Sequence, residues 1–350
     1  MKTLLITTWC LLAMSVTIIT LFSHLPGRFW ILRVCDFPRA QVLGVGILLI
    51  AVLFAAVFTG FPLKPATGVL FWIFTVMISV SVLMQALWAV QFTPLRTVTV
   101  PKSHIAPGSH REQKSALRLI TANVDFENED PPRAMDILIG ESPDILALVE
   151  TDALWDELIE AHRSEYPHIV KELREKGRGV AVLSRIPIEA SEIKYLVDKD
   201  RPSIWLQFCI PDYECVRLII THPAPPGLPK RDGEGRHSSK KRDIELDLIA
   251  SHIGDRQNQH WILAGDFNDV GWSWTTMQAK EVSGLLDPRI GRGMFNTFPA
   301  SYPFLRYPID HVLVSDTFKL IDIRRIENIG SDHLPLLADL ELPKRTIPPT

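Results

Sequence analysis

Residues 261–269 read W-I-L-A-G-D-F-N-D, and the interpretation of the whole 350-residue chain depends on this stretch. Its four leading apolar residues predict a buried strand that ends near Gly265. Asp266 and Asn268 lie two positions apart, so in extended geometry they point to the same side. A carboxylate beside an amide suits a metal-bound phosphate or a positioned water, although Asp and Asn also favour ordinary turns. Other parts of the chain must therefore decide between a site and a turn.

Charge is distributed unevenly along the chain. Residues 1–114 contain nine Lys and Arg but two acids, whereas the whole chain carries −3, so residues 115–350 carry −10. The protein thus has a basic front and an acidic body. Non-specific binding of nucleic acid relies on Lys and Arg that neutralise phosphates. The acidity of the body therefore disfavours a module that only degrades DNA.

The basic front contains three long apolar runs, residues 3–22, 42–61 and 68–90. Each is close to the roughly 20 residues that a helix needs to cross a bilayer. The first run could be a signal peptide, but no small-residue cleavage pattern follows it. Because the runs carry no intramembrane charge, a transporter is disfavoured. We expect residues 1–92 to be a three-helix anchor in a bacterial-type inner cell membrane.

The side of the membrane that carries the body is open at this stage. The positive-inside rule favours the cytoplasm, because Lys and Arg are more numerous on the side of the body (Arg28, Arg33, Arg39, Arg96 and Lys102, against Lys2 and Lys64). Cys209 and Cys215 flank a predicted hairpin turn, and a disulfide between them would instead indicate an oxidising compartment. Two free thiols are slightly favoured.

After a linker at residues 93–114, a soluble domain is expected at residues 115–345, followed by a tail at 346–350. Apolar runs in this domain predict strands that end in polar residues. The predicted strands are 116–124, 143–151, 177–185, 205–209, 216–221, 308–314 and 336–340, with helices at 131–140, 154–162 and 243–253. Glu150 closes one of the buried runs, which is unfavourable for a carboxylate unless it is solvated, paired or bound to metal.

The polar strand ends are mostly carboxylates and amides, which suit Mg²⁺, Mn²⁺ or Ca²⁺ rather than zinc. The sequence has no Cys-x-x-Cys or His-Glu-x-x-His spacing that would indicate a zinc site. It also has no P-loop and no G-x-G-x-x-G after a strand, which disfavours a nucleotide cofactor. No G-x-S-x-G elbow supports a serine hydrolase.

Seven short motifs occur along residues 115–342 in an order that resembles the endonuclease/exonuclease/phosphatase superfamily, whose fold is that of deoxyribonuclease I. They are Asn123, Glu150, Leu183-Ser184-Arg185, Thr221-His222, Gly265-Asp266-Phe267-Asn268, Ile309-Asp310 and Ser331-Asp332-His333. The resemblance implies a four-layer α/β sandwich, in which two packed mixed β-sheets are flanked by helices. The active site is then expected at one end of the strands.

The resemblance also implies a metal site. Glu150 matches the principal ligand of Mg²⁺ or Mn²⁺, and Asn123 and Asp332 match residues that complete or support the site. The sequence departs from the family pattern at Val149, where a Gln is common, and this affects support behind the metal ligand.

The remaining roles follow by position. His333 resembles the general base that deprotonates water, oriented by Asp310. Asp266 and Asn268 resemble the pair that aligns the reacting groups and grips the phosphate, and His222 resembles an imidazole that binds the phosphate. Such a set fits phosphoester hydrolysis, which needs charge neutralisation, an in-line water and donors to the phosphate oxygens.

The rim of this site is individual to the chain. A basic loop at residues 230–242 follows Pro223 and can provide cations that face a phosphate. Arg178, Arg236 and Arg242 are the candidate residues of the substrate rim.

We therefore expect a metal-dependent phosphoester hydrolase of the phosphodiesterase or nuclease type, acting on nucleic acid or on a lipid headgroup. One alternative is a membrane-anchored phospholipid or phosphoinositide phosphatase or phosphodiesterase. The other is a non-catalytic, membrane-tethered binding module on the same fold, which the full set of polar strand ends disfavours.

Overall fold

The computed structural model describes residues 2–27, 29–59, 65–109, 113–226 and 239–345. The front of the chain forms helices α1 (Lys2–His24), α2 (Trp30–Asp36), α3 (Arg39–Phe58) and α4 (Pro65–Val90). Three segments are long and apolar enough to cross a membrane: Leu4–His24, Arg39–Phe58 and Val69–Val90. The expectation of three apolar helices is thus confirmed, while residues 60–64, between the second and the third of them, lie outside the described residues.

Eleven strands are found in the described part of the body, and they form two mixed sheets. The first sheet has the order β10-β11-β1-β2-β4-β3 and the second has the order β5-β6-β7-β8-β9. The strands are β1 (Ala116–Asn123), β2 (Ile145–Thr151), β3 (His168–Glu172), β4 (Gly179–Ser184), β5 (Ile188–Lys194), β6 (Ser203–Phe208), β7 (Val216–Ile220), β8 (His260–Asp266), β9 (Asp310–Val314), β10 (Lys319–Arg325) and β11 (Leu336–Glu341). The pairs β1–β2 and β7–β8 are parallel, and the other pairs are antiparallel.

The two sheets pack face to face, and helices cover their outer faces. The core between the sheets contains alternate residues of both, such as Leu119, Val149 and Ile262. Helices α5 (Pro131–Gly140) and α6 (Ala153–Ala161) cover the first sheet, and α7 (Lys240–Gly254) and α8 (Trp274–Ser283) lie on the second. The predicted four-layer α/β sandwich is therefore confirmed.

The helical front packs directly against this sandwich. Trp272, in the loop that follows β8, stacks edge-on against Trp88 at 4.7 Å and Phe92 at 5.5 Å. Its indole N–H donates to the carbonyl of Asp36 at 2.7 Å. The front and the body thus share one small aromatic core.

The segment predicted as a linker contributes to the sandwich. Val100 is fully buried in the core between the sheets. Ser103 N–H donates to Leu320 O, and Leu320 N–H donates to Pro101 O, both at 2.8 Å. Residues 101–103 therefore extend the first sheet beyond β10.

Two details correct the sequence-based expectations. Cys209 and Cys215 form a disulfide across a Cα–Cα distance of 4.2 Å, so the slight preference for free thiols was wrong. The basic loop also ends earlier than expected, because α7 begins at Lys240 rather than at residue 243.

Candidate active site

The predicted site residues converge because neighbouring strands end at the same edge of the sandwich. In the parallel pair β1–β2, Asn123 lies opposite Val149, one residue before Glu150. In the antiparallel pair β8–β9, Asp266 lies opposite Asp310. Four strands of two sheets thus deliver polar side chains to one point.

Glu150 is turned toward this point by an irregularity in its strand. A register shift between β2 and β4 falls between Val149 and Thr151, and Glu150 has a positive φ of 68°. A non-glycine residue in that region carries strain, which is often stored at functional sites. The amide of Asn123 bridges two acids by donating to Glu150 Oε1 at 2.9 Å and to Asp266 Oδ2 at 3.1 Å.

His333 is buried and held by carboxylates. Its Nδ1–H donates to Asp310 Oδ2 at 2.8 Å, and its Nε2 lies 3.7 Å from Asp266 Oδ2. Burial lowers the pKa of His333, but the charges of Asp310 and Asp266 outweigh burial and raise the pKa to about 10. Ser331 Oγ fixes the local backbone by accepting from His333 N–H at 3.0 Å and donating to Asn123 O at 2.8 Å.

His222 is also buried, yet its environment has the opposite effect. Burial and the nearby charge of Arg201 lower the pKa of His222 well below its usual value, so the ring is neutral. Arg201 lies 3.3 Å from Nδ1 and has only hydrogens to donate, so Nδ1 is the acceptor and Nε2 carries the proton. That N–H lies 3.6 Å from both Glu150 Oε1 and Asp266 Oδ2. It is thus a donor that faces the centre of the site.

The turn after β8 positions Asp266 and Asn268. Gly265 has a φ of 131°, and a Cβ there would lie 2.1 Å from Thr221 O, so only glycine allows β8 to approach β7 this closely. Asp266 Oδ1 accepts from Asn268 N–H at 2.7 Å, and the Asn268 amide donates to Pro223 O at 3.1 Å. Burial raises the pKa of Asp266 to about 7, since the opposing charge of His333 only partly offsets it.

Two groups of side chains in the described residues are arranged closely enough to hold a metal ion. One contains Glu150, His222 and Asp266, and the other contains Asp266, Asp310 and His333, with ligand atoms within 4.8 Å of one another. Asp332 lies at the opening, half-exposed, with Oδ1 at 3.9 Å from His333 Nε2. All eight residues predicted for metal, phosphate and proton transfer therefore lie in or beside one cluster.

The predicted rim is only partly retained. Arg178 is partly exposed and pairs with Asp200 at 2.7 Å, and Arg236 lies outside the described residues. Arg242 does not lie on a rim. It is fully buried and contacts Asp243 at 3.0 Å and Asp269 at 3.3 Å. The prediction for Arg242 was wrong because α7 begins early and turns this side chain inward, where its guanidinium neutralises two buried acids.

Sequence reasoning missed two residues that contact the site. Arg201 sets the tautomer of His222 from a polar loop, and Phe298 packs its ring 4.8 Å from the ring of His333. Arg201 follows other charged residues in a loop that carries no motif, so nothing in its sequence context indicates a role. For Phe298, the sequence signal was the proline that follows it, because an aromatic residue before proline is typical of a structured turn.

Comparison with solved structures supports this fold. An endonuclease/exonuclease/phosphatase from Beutenbergia cavernae DSM 12333 is 20% identical, with a TM-score of 0.53 over 65% of this chain and 72% of that chain. D. rerio TDP2, complexed with single strand DNA product, is 15% identical, with a TM-score of 0.52 over 65% and 99%. The human Nocturnin catalytic domain, with bound sulfate anion, is 17% identical, with a TM-score of 0.50 over 66% and 96%.

Sequence comparison identifies the family. A search of the curated proteins found none that this sequence matches significantly. Residues 120–333 match the model of the Endonuclease/Exonuclease/phosphatase family, and this region covers more than half of the chain and every polar strand end described above. The chain therefore belongs to the endonuclease/exonuclease/phosphatase family.

Proposed function

We propose that this protein is a metal-dependent phosphoester hydrolase of the phosphodiesterase or nuclease type. The observation that carries the proposal is the cluster in which Asp266 and Asp310 lie against His333, while Glu150 lies beside Asp266 and His222. Perturbed acids and bases that face one another in this way are typical of catalytic sites. A binding module without catalysis has no need for a neutral imidazole and a carboxylate-held imidazole side by side.

The residues of the cluster fit a divalent cation such as Mg²⁺ or Mn²⁺. The donors are oxygen-rich, and burial raises the pKa of both Glu150 and Asp266. Asp310 Oδ1 is buried without a hydrogen-bond partner among the described residues. Glu150 would be the principal ligand, and Asn123 and Asp332 would complete or support the site. When bound, the ion would supply charge neutralisation for the phosphate.

His333 is placed to take the proton from an attacking water. Asp310 holds Nδ1–H, so Nε2 is the atom that points into the site. The carboxylates raise the pKa of His333 to about 10, and a cation among the same carboxylates would lower it toward neutrality. A base whose pKa is near the working pH is the most effective.

His222 and the turn after β8 are placed to hold the phosphate. The neutral His222 presents Nε2–H to the centre of the site, where a phosphate oxygen can accept it. Asp266 and Asn268, fixed to each other through the backbone, would align the nucleophile or leaving group. A donor held in place, such as His222 Nε2–H, stabilises the charge that develops on the phosphate without having to reorganise.

The substrate is a phosphoester, with a diester favoured. A single-strand DNA product bound to TDP2 and a sulfate bound to Nocturnin accompany the same fold, which supports a phosphate-binding site here. We assign catalysis to residues 115–345 and the connection to residues 93–114. We assign anchoring in the inner cell membrane to residues 1–92, which is tested by retention of the protein in membranes after an alkaline carbonate wash.

The test compares two histidine variants of the full chain in detergent, with Mg²⁺ or Mn²⁺ and bis(p-nitrophenyl) phosphate as substrate. We expect His333→Ala to lower kcat by about 10²–10⁴-fold, the usual contribution of a positioned general base. His260→Ala is the matched control, because His260 lies at the opposite end of β8 and hydrogen-bonds Thr317. Equal activity in the parent and in His333→Ala, or no activity on any phosphoester, would refute the proposed function.

A further inference from the structure

A hairpin beside the site carries an exposed apolar tip. Phe298 pairs with Tyr307, and the chain between them turns through a short 3₁₀ helix, Pro303–Leu305. At this tip Phe304 is 92% exposed, Tyr302 63% and Leu305 49%. Scattered exposed apolar residues are ordinary, but a contiguous group of large ones indicates a surface that another phase or molecule covers.

The 298–307 hairpin is held rigidly, so its tip cannot fold back onto the body at low cost. Phe298 N–H donates to Tyr307 O at 3.0 Å, and Leu305 N–H donates to Tyr302 O at 2.9 Å. The guanidinium of Arg306 lies across the hairpin and donates to Pro299 O at 3.3 Å and to Ala300 O. The exposed rings are therefore presented by a fixed backbone.

The tip lies at the level where the apolar helix α3 begins. Gln41 Nε2 donates to Phe304 O at 2.8 Å, and Gln41 is in the first turn of α3, which starts at Arg39. Phe37 contacts the ring of Tyr307 edge-on at 5.5 Å. Further exposed apolar side chains lie on and beside α2 and after α4: Phe29, Ile31, Val34 and Leu95. A membrane crossed by α3 would reach the same level as the tip.

The other end of the hairpin adjoins the catalytic cluster. Phe298 packs against His333, and Ala300 N–H donates to Asp332 O at 2.7 Å. Between Phe298 and the tip the chain makes a turn, in which Tyr302 N–H donates to Pro299 O at 3.3 Å, so the base and the tip belong to one compact element. The hairpin thus joins the site to the level of the membrane surface.

Cations at the hairpin suit an anionic lipid surface. A cavity of about 430 Å³ lies beside it, lined in part by Arg306, Arg325 and Leu334, the neighbour of His333. Arg306 and Arg325 donate to backbone carbonyls, whereas Arg324 in the same wall pairs with Glu141. Guanidinium groups next to an apolar tip are the combination that favours binding at the interface of anionic membranes.

We propose that the 298–307 hairpin seats in the membrane surface and that the phosphoester hydrolysed at this site is carried by a lipid headgroup. This inference rests on the proposed function. The anchor and the hairpin then fix the cluster at the height of the headgroups, so a lipid substrate enters from the plane of the membrane. A soluble phosphodiester needs only the cluster itself.

Membrane contact is tested by photo-crosslinking in the full chain. p-Benzoylphenylalanine is placed at position 304 and, as a control, at position 248 on α7, and the protein is reconstituted into radiolabelled phosphatidylcholine and phosphatidylglycerol vesicles. We expect lipid label at position 304 and none above background at 248. Equal labelling of both positions, or no labelling at 304, would overturn the seating of the hairpin.

The substrate class is tested by the double variant Tyr302→Ser/Phe304→Ser in the same vesicles, with release of soluble phosphorylated headgroup as the measurement. We expect turnover of vesicle lipid to fall about tenfold, which corresponds to about 1.4 kcal/mol, while hydrolysis of bis(p-nitrophenyl) phosphate is unchanged. Leu305→Ser and Leu248→Ser form a matched pair, because the two leucines are 49% and 46% exposed. Only the first should lower turnover of lipid.

The outcomes separate the two proposals. Hydrolysis of the soluble diester or of an oligonucleotide, with none of vesicle lipid by the parent protein, would overturn the lipid substrate and leave the proposed function standing. Equal loss on lipid and soluble substrate in the double variant would also overturn it, since the hairpin would then act only on the fold. No hydrolysis of either by the parent would overturn the proposed function itself.

Discussion

Asp266 and Asp287 are both buried in the second half of the body, but their surroundings have opposite effects on them. Asp287 is gripped by Arg289 at 2.9 Å and lies 3.5 Å from Lys280. Burial raises the pKa of Asp287, but these two cations outweigh burial and hold the pKa well below its usual value. Asp266 faces Asp310 and two imidazoles, the neutral His222 and His333, and its pKa is raised to about 7.

The difference distinguishes a buried carboxylate that is neutralised within the fold from the incompletely neutralised acids of the candidate site. A buried carboxylate with its cations in place contributes to a stable, closed structure, and removal of one partner leaves an uncompensated charge. The acids around His333 are held together by Asn123 and by backbone donors, with a surplus of negative charge. The fold tolerates this surplus at a cost in stability that a bound cation would offset.

The largest expected effects come from the substitution of Asp by Asn at Asp266 and at Asp287. We expect Asp266→Asn to lower kcat by about 10²–10⁴-fold without reducing the free energy of unfolding of the metal-free protein, because a strained charge is removed. We expect Asp287→Asn to reduce that free energy by about 3–5 kcal/mol, because Arg289 and Lys280 lose their counter-charge. The measurements are kcat on the soluble diester and chemical unfolding in detergent.

Activity of Asp287→Asn is measured well below its unfolding midpoint, where we expect it to match the parent. If the two variants lost stability to the same extent, Asp266 would be an ordinary structural carboxylate. The contrast between the two aspartates would then fail.

The next effect is the dependence of stability on pH in the metal-free protein. Native Asp266 keeps its proton up to about pH 7, whereas the unfolded chain loses it near the ordinary value of 3.8, so the free energy of unfolding falls as pH rises between these values. The pKa of His333, raised to about 10, extends the fall, since its stabilisation is present below pH 6.5 and lost toward pH 10. The titratable groups that face Asp266 are His333, Asp310, Glu150 and the neutral His222.

Unfolding midpoints from pH 5 to pH 8, with chelator or with Mg²⁺, measure this effect. We expect Asp266 alone to contribute a loss of about 3 kcal/mol across the range without metal, and the total loss to be smaller with Mg²⁺, because the cation compensates the ionised acids. Asp266→Asn should reduce the loss below pH 7 but leave part of it, since burial also raises the pKa of Glu245 to about 7. Identical slopes with and without Mg²⁺ would count against a metal site.

The sequence alone could predict some of the residues of the candidate site but not others. Asn123, Glu150 and Asp310 were predictable because each borders an apolar run, Asp310 at its start and the other two at its end, and strand ends at one edge of a sandwich must converge. The bulge that turns Glu150 inward was not predictable, because it depends on the register of β2 with β4. Arg242 looked like part of a basic loop, since its counter-charges, Asp243 and Asp269, become partners only through tertiary packing.

Edge elements were missed for a related reason. β5 reads I-E-A-S-E-I-K and is mostly exposed, so it carries little of the apolar pattern that identifies a strand. β3 is half-buried along its whole length. Both lie at sheet edges, where one neighbouring strand rather than hydrophobic burial fixes the conformation. The central strands, which carry the site, had the strong pattern.

The smallest predicted effect concerns the unequal contributions of Lys280 and Arg289, the two cations beside Asp287. Lys280 Nζ donates to Gly271 O at 2.7 Å and lies farther from Asp287 than Arg289 does. We expect Lys280→Met, which keeps the length of the side chain, to reduce the free energy of unfolding by about 1–2 kcal/mol, since Arg289 still neutralises the carboxylate. In a double-mutant cycle with Asp287→Asn, the two losses should not add, because each substitution relieves the imbalance that the other creates. Strictly additive losses would mean that Lys280 stabilises the protein only through its hydrogen bond to Gly271 O. Arg289 would then be the cation that neutralises Asp287, one cation for one acid.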